Sequence, residues 1–320
     1  MICQKYGDRL FIISIKNDRH DETRYEIRRS VMLDIGAVIL AAVCWGMCGV
    51  IAQHLFMVTP MTANDLTVAR LLLSGFLFLF PAMLSGEMRS VAGTKKDWFW
   101  RIPVFGIVGI LSVQFTYFAS IFHGNAAAAT VLQYLAPVLI VLYLAARRRR
   151  CPDIIEGIGT LLAVIGVLLM VSGGSTERLT VPWLGIVWGL ISAVSLAFYT
   201  LYPIDLLKNI PAYQLLGVGM LWGGLFGCAT IGLRHPHLFL RPDVLWPFLA
   251  IVVLGTVIPF YLYLYALRSL SPTEVSVFAC TEPFAAIIFS SLVLHMTFGV
   301  GEMLGAVSVV GAIILLALRR

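Results

Sequence analysis

Charge is scarce in this sequence. Asp, Glu, Lys and Arg together supply only 12% of its 320 residues, against roughly a quarter in an ordinary soluble domain. That shortage, with 59% hydrophobic residues and a mean hydropathy of +0.91, excludes a chain that folds in water. Enzyme signatures are missing too. No HExxH or GxSxG occurs, and the six histidines (His20, His54, His123, His235, His237, His295) fall mostly in the tail or loops. An intramembrane enzyme would need a nucleophile–base pair or a metal set, and the sequence offers neither, nor anything that points to a cofactor. Cysteine is also sparse. Cys44 and Cys48 share a helix face, but no further ligand completes a metal site near them. The other four cysteines suggest no disulfide framework.

What the chain has instead is long apolar runs. A helix crossing a bilayer needs about 20 apolar residues. Ten runs qualify, at 34–55, 64–84, 101–122, 126–146, 154–172, 183–203, 212–233, 244–267, 273–294 and 299–318. The expectation is an all-α membrane protein of ten transmembrane helices. The net charge of +6 is distributed as a topology signal rather than a nucleic-acid surface. With the N-terminus in the cytoplasm, 19 of the 23 Lys and Arg residues fall on that side, including the run Arg147 to Arg150. Both termini are therefore expected in the cytoplasm.

The chain also repeats itself. A shift of 146 residues carries Gly109 onto Gly255, Tyr117 onto Tyr263, Pro137 onto Pro283, Glu156 onto Glu302 and Gly159 onto Gly305. Residues with conformational or polar meaning thus keep their spacing, which predicts two similar halves. These are 32–172 (spans 1–5) and 183–320 (spans 6–10). Residues 1–31 form either a short cytoplasmic extension or a stretch upstream of the true start at Met32. Arg28, Arg29 and Ser30 could be encoded by a purine-rich ribosome-binding sequence.

Several polar residues interrupt the spans. Trp45-Gly46 lies in the middle of span 1, and a buried Trp needs a partner for its N–H. Asn64 and Asp65 open span 2 as candidate caps. Arg70 follows within that span, either snorkelling outward or facing the bundle interior. Span 3 carries Gln114, Thr116 and Tyr117 before a tight turn at His123-Gly124-Asn125. Span 4 places Gln133 and Tyr134 just ahead of Pro137, where proline frees a carbonyl and bends the helix. Span 9 echoes it with Glu282-Pro283. Glu282 is the deepest acid in any span, and reads either as a structural hydrogen-bonding group or as a substrate or proton site. Glu156 and Glu302 read as helix-end or inter-helix supports. Span 7 carries Gly219, Gly223 and Gly227, a ladder for close packing. Tyr261 and Tyr265 of span 8 share a face, and Tyr263 points elsewhere.

Taken in order, these features resemble the EamA-type ten-helix members of the drug/metabolite transporter superfamily. The resemblance rests on Trp45-Gly46, Ala69-Arg70, the Tyr-turn-Ala-rich segment ending at Pro137, Glu282-Pro283, and Gly159 with Gly305, and it covers about 33–318. TVLQYLAP (130–137) and CTEP (280–283) are similar to a YicL-like inner-membrane subgroup. One departure stands out. The family's Leu-Gly-Glu motif after spans 4 and 9 is replaced by Ala146-Arg147-Arg148 and Leu294-His295-Met296.

The resemblance implies two inverted five-helix halves around a central cavity, and a secondary transporter in the cytoplasmic membrane. Its implied cargo is small metabolites or amino-acid-like compounds, moved outward by alternating access. Trp45, Tyr117, Gln133, Tyr199, Tyr263 and Glu282 would line the cavity. Arg70 would contact an anion or carboxylate, and Glu282 would couple protons if coupling exists. Partners would be the small-molecule substrate and the bilayer. A non-transporting membrane scaffold is the alternative, and the oligomeric state is left open.

Overall fold

The structure, a computed structural model, describes residues 32–85, 97–147, 149, 151, 153–175, 180–270 and 272–317. The tail 1–31 and the second arginine of Ala146-Arg147-Arg148 lie outside them. Besides a short 3-10 turn at Pro236–Leu240, the described residues form ten apolar helices. These are α1 (Met32–Val58), α2 (Ala63–Ser85), α3 (Phe99–His123), α4 (Ala126–Arg147), α5 (Ile154–Ser172), α6 (Trp183–Ile204), α7 (Ala212–Thr230), α8 (Pro242–Ala266), α9 and α10 (Val300–Ala317). Helix α9 comes in two pieces, Pro272–Ala279 and Thr281–Val293, which have the length of a span only together.

The bundle is apolar on its outside as well as within. Leu161, Leu168, Val194, Leu225 and Val307 are each more than half exposed. In a bilayer such side chains face lipid, so they supply no drive for the helices to associate. Packing and internal hydrogen bonds must hold the bundle together. Glycine does much of this. A Cβ on Gly305 of α10 would lie 2.5 Å from Met170 N and 2.6 Å from Gly166 O of α5, so the two backbones touch. At Gly159 the same addition meets only the Leu316 side chain, which can move. Gly305→Ala should therefore cost more than the roughly 1–3 kcal/mol of ordinary overpacking, and Gly159→Ala less. Melting of the two variants in detergent checks this ordering. Equal melting would mean that the α5–α10 contact is not tight. The ladder Gly219-Gly223-Gly227 likewise lets α7 lie against α3 at Gly106 and Leu111.

Helix ends are closed by side chains. Thr62 and Asp65 form a reciprocal cap at the start of α2: Asp65 N donates to Thr62 Oγ1 (3.3 Å), and Thr62 N donates to Asp65 Oδ2 (3.0 Å). Asn64 and Asp65 are the caps expected from the sequence, but Thr62 holds that position: its backbone precedes the helix, its hydroxyl accepts from Asp65 N, and the Asp65 carboxylate reaches back to Thr62 N. Asn64 instead donates to Ile231 O (2.8 Å), and Asp65 also accepts from the Arg234 and His235 backbone of the α7–α8 loop. Glu156 accepts from Asp153 N (3.0 Å) and Glu302 from Gly299 N (2.7 Å), so both glutamates serve helix ends. Asn125 caps α4 by accepting from Ala128 N (2.8 Å).

Local irregularities recur at the 146-residue spacing. Helix α3 widens to π geometry over Phe105–Leu111, around Gly109, and α8 does so over Val253–Val257, around Gly255. Helix α4 breaks at Tyr134-Leu135 ahead of Pro137, and α9 breaks at Cys280 ahead of Pro283. Each proline removes the donor that would have reached a carbonyl four residues back, at Gln133 and Ala279 respectively. A carbonyl so freed inside a bilayer must find protein or water. Both breaks and the α8 widening lie where the helices surround a common space.

Candidate functional site

That space is a cavity of about 790 Å³, its open mouth included. Its walls come from α1, α2, α3, α4, α6, α8 and α9. All seven residues singled out in the sequence (Trp45, Arg70, Tyr117, Gln133, Tyr199, Tyr263 and Glu282) stand on it, as does Pro137, while Pro283 does not. Most of the wall is apolar or aromatic. Trp45 meets Phe260 edge-on (5.2 Å) and Tyr263 at a tilt (5.4 Å), and Tyr199 stacks on Phe105 (5.5 Å). Gly46 lets α1 lie close against α9, since a Cβ there would be 2.8 Å from Ala286 N and 2.9 Å from Glu282 O.

Arg70 faces the interior. It is 5% exposed, and its guanidinium lies over the Phe118 ring at 4.8 Å from the centroid. Its Nε donates to Thr256 Oγ1, and one terminal nitrogen donates to Gly255 O (2.9 Å). Arg70 thus ties α2 to the widened turn of α8, and no ion pair joins it to Glu282 among the described residues. The polar groups of Tyr117, Gln133 and Tyr263 are engaged by neighbours. Tyr117 OH pairs with Thr130 Oγ1 (2.9 Å), Gln133 Nε2 donates to Ser192 Oγ, and Tyr263 OH lies 3.5 Å from Thr200 Oγ1. The N–H expected to need a partner, Trp45 Nε1, has none among the described residues, and neither has Tyr199 OH.

Glu282 is 4% exposed and contacts a residue left out of the sequence-based candidates, Tyr134 of α4. Tyr134 OH lies 3.0 Å from Glu282 Oε2 and also bonds to Ala279 O, the carbonyl freed by Pro283. A tyrosine has one hydroxyl proton for these two acceptors. With Glu282 protonated, the carboxyl donates to Tyr134 and Tyr134 donates to Ala279 O, and every group is satisfied. With Glu282 ionised, the single proton must serve either the carboxylate or the carbonyl at the helix break. The protonation state of Glu282 is thereby tied to the join between α4 and α9. The sequence held a clue, since Tyr134 occupies the repeat position of Cys280, but nothing in it showed that the two breaks face each other.

The EamA-like transporter family model matches this chain twice, over residues 32–172 and 183–318. The uncharacterized inner membrane transporter YicL of Salmonella typhimurium is 33% identical over 282 residues, covering 88% of this chain and 94% of that protein. The uncharacterized transporter YcbK of Bacillus subtilis is 24% identical over 225 residues, covering 68% of this chain and 70% of that one. A protein of known crystal structure shares the fold, with a TM-score of 0.62 at 16% identity, over 91% of this chain and 97% of the other.

Proposed function

The chain belongs to the EamA-like transporter family, and on that premise we propose that it exports small metabolites or amino-acid-like compounds by alternating access, driven by protons. Membership makes it a membrane transporter, and its apolar helices and YicL-like sequence make it a multi-pass protein of the inner membrane. The observation that carries the finer reading is the cavity itself. It gathers a buried arginine, a buried glutamate and two broken helices on one space. Ionisable residues inside a membrane are costly and ordinarily mark a substrate or proton path.

In this reading the two halves are inverted copies that rock about the cavity. The recurrence of the π turns, the helix breaks and the glutamate caps at the 146-residue spacing supports two related halves. Five crossings in each half would reverse the second relative to the first. The Lys and Arg distribution supports cytoplasmic termini. Arg70 keeps the α8 wall in place and offers positive charge to an anionic group, and Glu282 exchanges its proton for substrate. The empty cavity changes sides only with Glu282 protonated, when the Tyr134–Ala279 join has both its hydrogens, so that each substrate carried out is followed by a proton carried in.

Purified protein in liposomes with an acidic lumen tests this reading. A mixed pool of amino acids and amphipathic metabolites is offered outside, and lumenal uptake is read by mass spectrometry. Protons leaving the lumen should draw a subset of the pool inward, which is export seen from the other side. No uptake of any compound, with or without the gradient, would count against transport and for a scaffold.

A further inference from the structure

Buried polar groups in proteins are nearly always paired. Among the described residues nine buried side-chain N and O atoms are not, and four of them are on this one cavity: Trp45 Nε1, Tyr199 OH, and Gln114 Nε2 and Oε1. Gln114 is the only side chain among them with two orphaned atoms, and it is 3% exposed. Several polar groups close to it in the chain or on the cavity are engaged elsewhere. Tyr117 is taken by Thr130 (2.9 Å), Thr116 Oγ1 donates to Ser112 O (2.7 Å), and Gln133 is held by Ser192. Each of these groups is engaged by a residue other than Gln114, and its amide is left over.

We propose that Gln114 is the specificity-determining residue of the cavity, and that it reads a planar group carrying one donor beside one acceptor. This rests on the cavity being the substrate site. An amide offers an acceptor and a donor about one bond angle apart. The complement is a primary carboxamide, a cyclic amide or imide, or an un-ionised carboxyl, each of which can meet both atoms at once. Trp45 Nε1 adds one donor and Tyr199 OH a group able to donate or accept, for a further polar atom. The Trp45, Phe260 and Tyr263 rings would seat a flat apolar body. A site built to pair such a group rejects an isostere without it, because its own buried atoms are then left unpaired.

The test uses detergent-purified full-length protein and two probes of one shape, phenylacetamide and phenylacetone, which differ in NH₂ against CH₃. Calorimetry should show the carboxamide binding about tenfold or more tightly to the wild type. Gln114→Leu should bind both alike, and should melt at a higher temperature than the wild type without ligand, because an unpaired buried amide has been removed. Gln214→Leu removes another orphaned oxygen, one away from the cavity, and should leave the preference intact.

Equal binding of both probes by the wild type, or binding of neither, would overturn the proposal. So would a Gln114→Leu protein that keeps the preference or melts lower. The transport reading fails separately. Carboxamide preference in a protein that moves nothing across liposomes removes transport and leaves this site standing. Transport indifferent to Gln114→Leu does the reverse.

Discussion

Glu282→Gln should abolish gradient-driven accumulation while the protein still folds and still exchanges substrate. The substitution keeps the shape and leaves an amide that can bond Tyr134, which lies 3.0 Å from the carboxylate. What it removes is the proton. If one proton moves per substrate, a gradient of one pH unit stores about 1.4 kcal/mol and supports about tenfold accumulation. In the variant the ratio should fall to about one, with counterflow of labelled against unlabelled substrate retained. Melting should stay close to that of the wild type, since the amide can donate to the Tyr134 oxygen as Tyr134 donates to Ala279 O. Accumulation that survives would make Glu282 a structural group, holding the α4–α9 join and nothing more. Loss of counterflow as well as accumulation would instead make it a direct substrate contact.

Arg70→Leu should strike the fold and the function together. Placing an arginine at the centre of a membrane helix costs about 3 kcal/mol on insertion scales. Against this stand two hydrogen bonds from a charged donor, about 1.5–3 kcal/mol each, and a ring contact worth up to about 2 kcal/mol when desolvated. The gains exceed the cost, so removal should destabilise by roughly 3 kcal/mol. Gly255 O, at the widened turn of α8, then loses its donor. Arg70→Lys should not rescue it, because an ammonium cannot serve Thr256 and Gly255 in the forked geometry of a guanidinium while stacking on Phe118. Both variants should melt lower in detergent and transport at a small fraction of the wild-type rate. A stable, active Arg70→Leu protein would show that the arginine neither braces α8 nor meets cargo.

Much of this was legible in the sequence because membranes impose simple rules. Apolar runs of span length gave ten helices with ends within a few residues of those observed. Proline spacing marked where α4 and α9 break, whereas Gly109 and Gly255 marked the repeat without indicating that α3 and α8 change pitch there. Helical phase set Tyr263 apart from Tyr261 and Tyr265 without saying which face is buried, and only the resemblance put Tyr263 on the cavity; in the structure Tyr263 is buried, while Tyr261 and Tyr265 stack on the outer face at 5.9 Å. What the sequence did not carry is pairing. Whether Arg70 snorkels or turns inward depends on Thr256 and Gly255, more than 180 residues away. Tyr117 and Gln133 read much like Gln114 in one dimension. Only in three dimensions do the first two find Thr130 and Ser192, leaving Gln114 unpaired. The missing Leu-Gly-Glu after α9 leaves Met296 at the equivalent place, and its sulfur accepts from Gln53 Nε2 (3.3 Å), tying that loop to α1.

Cys48 offers the most direct measurement of the central claim, that one cavity opens to each side in turn. Its thiol lies on the cavity wall and is 3% exposed, so it is shielded in the state described. A variant keeping Cys48 as its sole cysteine, with the other five replaced by alanine, can be reconstituted in vesicles of one orientation. A membrane-impermeant maleimide is then applied to the outside or trapped inside. The account predicts modification from both faces, slowed on each by a transported compound. Labelling from one face alone would contradict alternating access through this cavity.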